Sequence, residues 1–388
     1  MSFNQPDREM NMDEPNDGQT TNDARRVRYA VVGLGHIAQV AVLPAFKHAS
    51  GNCELSALVS SDPKKLKKLA RKHGVSRTTG YEGYDELLQS GQIDAVCIAL
   101  PNHLHCEYSV RAAEAGVHVL CENPMAVTED ECQKMIAAAE SSDVRLMIAY
   151  RLHFEEANLK AIEIVQSGEL GEARFFQSNF AMQVKDENIR VSREKGGGPL
   201  YDIGIYCINA ARYLFRDEPS EVSCFTANSG DERFAEIEEM ASAILRFPKQ
   251  RLASFTCSFG AADVSQYRVV GTNGDLNVEP AYEYQKKLAH RITIDGKTRK
   301  QTFAKRDQFA PELMHFSTCV REGRSPEPSG AMGQADIRII EALFRSAEVG
   351  APVPLEPVQQ MRYPGMELEM HKPPVEKPEI IHAESGSQ

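Results

Sequence analysis

The chain has no C-x-x-C pair, no apolar run long enough to cross a bilayer, no surplus of basic residues and no apolar segment near its N-terminus. Each absence excludes something. The nine cysteines, at positions 53, 97, 106, 121, 132, 207, 224, 257 and 319, are scattered and odd in number. That pattern fits reduced thiols in apolar settings and argues against a disulfide framework or a zinc site, so no metal is expected. A membrane-spanning helix needs about 20 consecutive apolar residues, and their absence removes the membrane as a partner. The N-terminus is polar and acidic, without the apolar core of a secretory signal, so a cytoplasmic location is expected. The net charge of −11 and the lack of a basic stripe disfavour a nucleic-acid surface. The local cluster Lys64, Lys65, Lys67 and Lys68 reads as the solvated face of a helix.

The 388 residues exceed a typical single domain, and an apolar fraction of 42% suffices for two cores. Residues 1–25 are rich in Asp, Asn, Gln and Glu and read as a disordered arm. Its end, Ala24-Arg25-Arg26, either lies over an anionic cofactor or is simply solvated. Residues 26–150 read as a dinucleotide-binding domain and 151–362 as a substrate-binding and oligomerisation domain. The charged, Pro-rich stretch 363–388 reads as a flexible tail.

The stretch with the most chemistry is Arg28-Tyr-Ala-Val-Val-Gly-Leu-Gly-His-Ile-Ala-Gln-Val40. An apolar run from Tyr29 to Val32 stops at glycine, as a buried strand entering a tight turn does. Gly33 and Gly35 allow a sharp turn and close approach of the backbone to a bulky anion. Ile37, Ala41 and Val42 then share a helical face, so free amides and the positive dipole end point over the glycines, beside His36 and Ile37. The pattern G-x-G-x-x-A is the dinucleotide fingerprint, with alanine in its third small position. A tight strand-to-helix turn without a ligand is the other reading.

Apolar strands over 53–59, 93–100, 117–121 and 144–149 alternate with helices over 63–73, 103–115 and 129–140. That alternation predicts an α/β domain, a doubly wound parallel Rossmann sheet covered on both faces. After Arg151 the rhythm changes. A helix over 155–166 precedes alternating stretches at 173–184, 221–226, 241–247, 251–259, 265–270 and 275–278, with helices over 200–214, 308–322 and 333–349. This predicts an α+β domain with a large open, mainly antiparallel sheet, a face of the kind that becomes a subunit interface.

The second strand ends Leu58-Val-Ser-Ser-Asp62, followed by Lys64 and Lys65. NAD-selective sites place an acid at this strand end to bond the ribose hydroxyls. Ser60 stands there instead, and a hydroxyl with a nearby ammonium at Lys65 suits a 2′-phosphate. NADP is therefore expected, with NAD possible, and Asp62 is expected to cap the helix begun by Pro63. The next strand ends bring Pro101 and Asn102, which would line a nicotinamide pocket, and His105, either a ligand or a helix-start hydrogen-bonding group. They also bring Glu122 and Asn123, fixed in direction by Pro124. Gly196-Gly-Gly-Pro-Leu-Tyr-Asp-Ile-Gly-Ile-Tyr206 is a second site. Three glycines give a flexible approach, and Asp202 and Tyr206, four apart, share a helix face. A carboxylate and a phenol so placed can bind and deprotonate an alcohol; a helix cap with a core tyrosine is the alternative.

Gly-Leu-Gly-His-Ile-Ala, Leu-Pro-Asn-x-x-His, Cys-Glu-Asn-Pro-Met-Ala, the Tyr150-Arg151 pair, Gly-Gly-Gly-x-x-x-Asp-Ile-Gly-Ile-Tyr, Asp231-Glu-Arg-Phe and Asp336-Ile-Arg recur in order between about Tyr29 and Pro352. Together they resemble the glucose–fructose oxidoreductase and inositol dehydrogenase superfamily, most of all its glucose–fructose oxidoreductase branch. The resemblance implies a Rossmann domain binding NADP or NAD, an open-sheet second domain, a homodimer or homotetramer through that sheet, and sugar or polyol substrates. It carries cofactor roles to Gly33, Gly35, Ser60, Lys65, Pro101, Asn102 and Glu122, places Arg151 near the nicotinamide, and gives substrate or catalytic roles to Asp202 and Tyr206. One position departs. The family's Glu-Lys-Pro is Glu122-Asn123-Pro124 here. Asn donates a hydrogen bond but carries no charge and relays no proton. Asn123 is then an engineered change, a natural variant with Tyr206 as sole acid/base, or the mark of a silent NADP(H)- or sugar-binding relative.

Overall fold

The computed structural model describes residues 1, 25–358, 362–383 and 385–386. The expected arm 1–25 lies outside the described residues except at its two ends. Its last residue and the next are held by carboxylates of the domain: Arg25 pairs with Asp94 at 3.2 Å and Arg26 with Glu54 at 2.8 Å.

The first sheet takes its strands in the order β3-β2-β1-β4-β5-β6, all parallel, where β1 is Val27–Val32, β2 Cys53–Val59, β3 Arg77–Thr79, β4 Ala95–Ile98, β5 His118–Glu122 and β6 Leu146–Ala149. The order reverses between β1 and β4, and that crevice is where doubly wound sheets bind ligands. The crossover helices are α1 (Leu43–His48), α2 (Pro63–His73), α3 (Tyr84–Gln89), α4 (His105–Glu114) and α5 (Glu129–Ser141). Their ends follow local chemistry. Asp62 caps α2 by accepting from Lys64 N and Lys65 N, and Gly74 ends it in the left-handed region. Thr128 and Glu131 form a reciprocal capping box at α5. β3 and α3 are additions to the elements expected from sequence. Each is too short to show a period, and β3 is only half-buried.

The second sheet is built from β7 (Ala173–Ala181), β8 (Glu221–Ala227), β9 (Met240–Phe247), β10 (Arg251–Ser258), β11 (Val264–Gly271), β12 (Gly274–Val278), β13 (Ala289–Ile294), β14 (Lys297–Thr302) and β15 (Val353–Pro354). Their order is β14-β13-β12-β11-β7-β10-β9-β8-β15, antiparallel except that β7 and β10 run parallel. Helices α6 (Glu156–Gln166), α7 (Ile205–Phe215) and α9 (Gly330–Val349) belong to this half of the chain. The sequence Lys-Thr-Arg-Lys-Gln-Thr of β14 is exposed throughout. Its lack of apolar residues hid it from pattern reading, and its charge suits an edge strand.

One helix departs from the expected domain division. α8, Ala310–Glu322, packs on the first sheet: Phe309, Ala310, Leu313 and Phe316 share a buried cluster with Tyr29, Val31 and Leu58. The Tyr29 hydroxyl lies 2.7 Å from Ser317 Oγ. The reason is visible in β1, whose alternate residues need an apolar cover on both faces of the sheet.

The C-terminal stretch is also held, contrary to the flexible tail expected from its charge and prolines. Ile381 is 9% exposed and joins the core cluster of the first domain. All nine cysteines are free, and no helix among the described residues is long and apolar enough to cross a membrane.

Candidate active site

At the fingerprint, Gly33 adopts φ +93°, and a Cβ there would stand 2.3 Å from the Ala99 carbonyl oxygen. Only glycine lets β1 turn against β4 in this way. Above Gly35, by contrast, a Cβ would meet nothing within 4 Å. The turn thus leaves open space over its second glycine, bordered by the half-buried side chains of His36 and Ile37. A wide π-helical turn, Ala38–Val42, then leads into α1. This shape fits the pyrophosphate of a dinucleotide: glycine where the backbone must turn, space where an anion would lie, and a helix start facing it. Ser60 is buried at the end of β2, its Oγ accepting from Asp62 N at 3.2 Å, and Lys65 is half-buried in the first turn of α2.

Pro101 and Asn102 leave β4 at the next strand end. Asn102 Nδ2 donates to Gly196 O at 2.8 Å, which ties the first domain to the glycine triplet of the second. That triplet is packed rather than an open approach. A Cβ on Gly196 would come within 2.6 Å of Val127 Cγ2, and one on Gly197 within 2.3 Å of Arg190 O. His105 is placed away from the open cleft. It is 1% exposed, and its ring nitrogens face Pro124 O at 2.8 Å and Leu100 O at 2.9 Å, bracing two strand ends. Burial lowers its pKa, while the two carbonyls pull the other way.

The ends of β5 and β6 supply the charged centre. Arg151 is 6% exposed and donates to Gln308 Oε1 at 2.5 Å and Tyr282 O at 2.6 Å. Its guanidinium carbon lies 5.1 Å from the Tyr206 ring centre and 5.3 Å from that of Tyr284. Two carboxylates share its neighbourhood. Burial pushes Glu122 up to about 7, with Arg151 pulling the other way. Burial and then the charge of Glu122 raise Glu312, 2% exposed, well above the usual carboxylate range. Asn123 Nδ2 donates to Ala149 O at 3.0 Å. Asn123, Arg151 and Tyr206 line one small cavity with Tyr150, Asn209 and Tyr213.

Tyr206 sits where a second π-helical turn, Leu200–Gly204, meets α7. Its ring packs edge-on against Phe180 and beside Tyr282. Asp202, in the π turn, forms an ion pair with Arg190. Beneath the cavity, Asp336 accepts from Tyr150 at 2.6 Å, Asn209 at 3.0 Å and Arg212 at 2.6 Å, a satisfied buried network that holds α7 and α9 together. Sequence reading missed Glu312, Gln308, Tyr282, Tyr284 and Arg190. None lies in a motif, and the chain passes them in irregular segments or on α8, which packs on the other domain's sheet.

Residues 27–150 match the oxidoreductase family with an NAD-binding Rossmann fold, and residues 158–277 match the C-terminal domain of the same GFO/IDH/MocA family. The chain belongs to this family. D-xylose 1-dehydrogenase (NADP(+)) 2 from Haloferax volcanii is 32% identical over 84% of this chain and 99% of its own length. The D-xylose 1-dehydrogenase [NADP(+)] of Haloarcula marismortui is 33% identical over 87% of this chain and 95% of its own. Among solved structures, aldose–aldose oxidoreductase from Caulobacter crescentus, complexed with glycerol, superposes with a TM-score of 0.81 at 37% identity, covering 85% of this chain and all of that one. The family assignment makes the chain an oxidoreductase of the NAD(P)-dependent kind, acting on CH–OH groups.

Proposed function

We propose that this chain is an NADP-dependent oxidoreductase of a sugar or polyol, in the aldose and ketose class, with Tyr206 as the group that handles the hydroxyl proton. The observation that carries it is the stacking of Tyr206 on the buried Arg151 guanidinium, in a cavity that opens beside the strand ends of the Rossmann sheet. NADP, when bound, supplies the hydride acceptor. Gly33, Gly35, His36, Ile37, Ser60, Lys65, Pro101, Asn102 and Glu122 would hold it. Tyr206 takes the proton of a substrate hydroxyl as its carbon is oxidised, with the Arg151 guanidinium stacked on its ring. Asp202 and Asn123 orient the remaining hydroxyls. His105 supports the cleft from behind.

Asn123 keeps a second reading alive, a relative that binds NADP(H) or a sugar without turnover. A screen of aldoses, ketoses and inositols, followed by nicotinamide absorbance, separates the two. Turnover of at least one sugar is expected. No turnover by the native chain beside an active Asn123→Lys variant would establish the silent reading.

Cofactor choice rests on Ser60 and Lys65. Hydrogen bonds to a charged partner contribute about 1.5–3 kcal/mol, so Lys65→Ala is expected to weaken NADP binding by roughly tenfold or more and to leave NAD nearly unchanged. Ser60→Asp is expected to bring the two cofactors close to parity by repelling the 2′-phosphate. Dissociation constants by fluorescence titration decide this; an unchanged NADP-to-NAD ratio in Lys65→Ala would refute the phosphate pocket.

The second sheet suggests a homodimer or homotetramer. Its outer face exposes Phe175, Phe225, Ile244 and Leu252, at 43%, 77%, 52% and 42%. Phe175 and Leu252 are direct cross-strand neighbours, so the exposure forms a patch rather than scattered side chains. Replacing Ile244 and Leu252 by lysine is expected to give monomers in light scattering. An unaltered mass would show that the chain associates elsewhere, or not at all.

A further inference from the structure

We propose that the C-terminal residues 372–383, with 385–386, are part of the cofactor site: a strap, latched at the fingerprint through Ile381, that closes over the bound dinucleotide and slows its release. The proposal rests on the NADP-binding reading above and adds a cofactor-retaining element to it.

The path of the segment carries the argument. It starts at the junction of the two domains, where Asp307 N donates to Lys372 O at 3.2 Å and Arg306 pairs with Glu369. It then reaches the fingerprint. The side chain of Gln39, 2% exposed, grips the backbone of Ile381 from both sides: Nε2 donates to Ile381 O at 2.9 Å and Oε1 accepts from Ile381 N at 2.8 Å. The same Nε2 also donates to Leu34 O, the residue between the two glycines, at 2.9 Å. The strap is therefore bonded to the turn itself. Next, His382 Nδ1 lies 3.1 Å from Asp62 Oδ2, two residues past Ser60, where the adenosine ribose of a dinucleotide lies in this fold. The segment finally returns to the second domain: Lys185 N donates to Gly386 O at 3.2 Å, and Gly386 rests against the guanidinium of Arg190, the ion-pair partner of Asp202.

One segment thus touches the glycine turn, the ribose end of β2 and the partner of the substrate-side carboxylate. Chain termini are loosely ordered unless tied down, and each ordered residue costs about 1–2 kcal/mol of backbone entropy. A terminal stretch held by a buried glutamine and an apolar anchor is tied down. Its prolines, Pro373, Pro374 and Pro378, lower that cost by restricting the free chain. The strap does not plug the anion position, because the direction above Gly35 is open. Lys377 adds to this picture: burial first, and then the positive charges of Arg190, Lys377 and Lys185, lower the pKa of His36 beside the turn. Two of these cations come from the second domain and one from the strap, and all would face a pyrophosphate.

The test is the rate at which NADPH leaves. The chain has no tryptophan, so nicotinamide emission can be followed in stopped flow after mixing with excess NADP. The full chain is compared with a chain ended at His371 and with Ile381→Asp, which keeps the full length but cannot seat in the apolar pocket. Both are expected to release NADPH at least tenfold faster. Release within twofold of the full chain in Ile381→Asp would overturn the strap, whether or not the shortened chain folds. Tighter NADPH binding in either variant would overturn it too, since the segment would then compete with the cofactor. If no form binds NADPH, the nucleotide reading itself fails, and the strap with it.

Discussion

Tyr206→Phe is expected to lower kcat/KM by roughly 10²- to 10⁴-fold, the range for removing a general acid/base, with the fold intact. Phenylalanine keeps the ring contacts to Phe180 and Tyr282 and the cation over its face, so the change isolates the hydroxyl. The measurement is kcat/KM for whichever aldose or ketose turns over fastest, with a thermal melt as control. A loss under about threefold would take the proton-handling role away from Tyr206. Asn123 gives this prediction its sharpness. Asn123 itself can exchange no proton, and the carboxyls of Glu122 and Glu312 lie in the field of Arg151.

The second large effect concerns Arg151→Met. Activity is expected to fall by about 10²- to 10³-fold, as when one preorganised donor at a developing charge is removed. Stability is expected to fall too, by about 3–5 kcal/mol at pH 8, the cost of breaking a buried ionic cluster from one side. Glu122 and Glu312 would keep their burial and lose their cation, while Gln308 Oε1 and Tyr282 O would lose their donor. The pH dependence follows from the direction of the carboxyl shifts. Glu122 is raised from the ordinary value to about 7, so the folded protein binds its proton more tightly than the unfolded chain does. That stabilisation is fully present below about 4.5 and is lost as pH rises through about 7. Both forms should therefore melt higher at pH 5.5 than at pH 8, and the gap between native and variant should widen with rising pH, because only the deprotonated carboxylates miss the guanidinium. Paired melts at the two pH values check this. A gap independent of pH would mean that the carboxyls do not titrate as a buried pair beside Arg151.

The sequence reported the parts of this molecule that obey a local period or a fixed spacing. β1 with its glycine turn, the capped start of α2 at Asp62 and the alternation of β9 all announce themselves within about ten residues. The charged centre does not. Arg151 and Glu122 were legible as strand-end residues, but their setting depends on Glu312 and Gln308, more than 150 residues later in the chain. Nothing in the composition of α8 says which sheet it covers. The tail was misread for a related reason. Its prolines and charges describe a poor core, yet one apolar residue, Ile381, is buried there with its backbone clamped by Gln39. His105 shows the reverse case, a polar residue in a suggestive motif whose ring is used up by two carbonyls.

The placement of α8 has a consequence for how the chain comes to be made. Tyr29, in the first strand to be synthesised, closes its hydroxyl contact with Ser317, 288 residues later. The face of the Rossmann sheet that Phe309, Leu313 and Phe316 cover stays bare while the part of the second domain that precedes α8 is translated. At about 5–20 residues per second, that interval lasts on the order of tens of seconds. During it the nascent first domain carries an unfinished apolar face, the kind of surface that is aggregation-prone while exposed, and its final closure waits for residues 309–316.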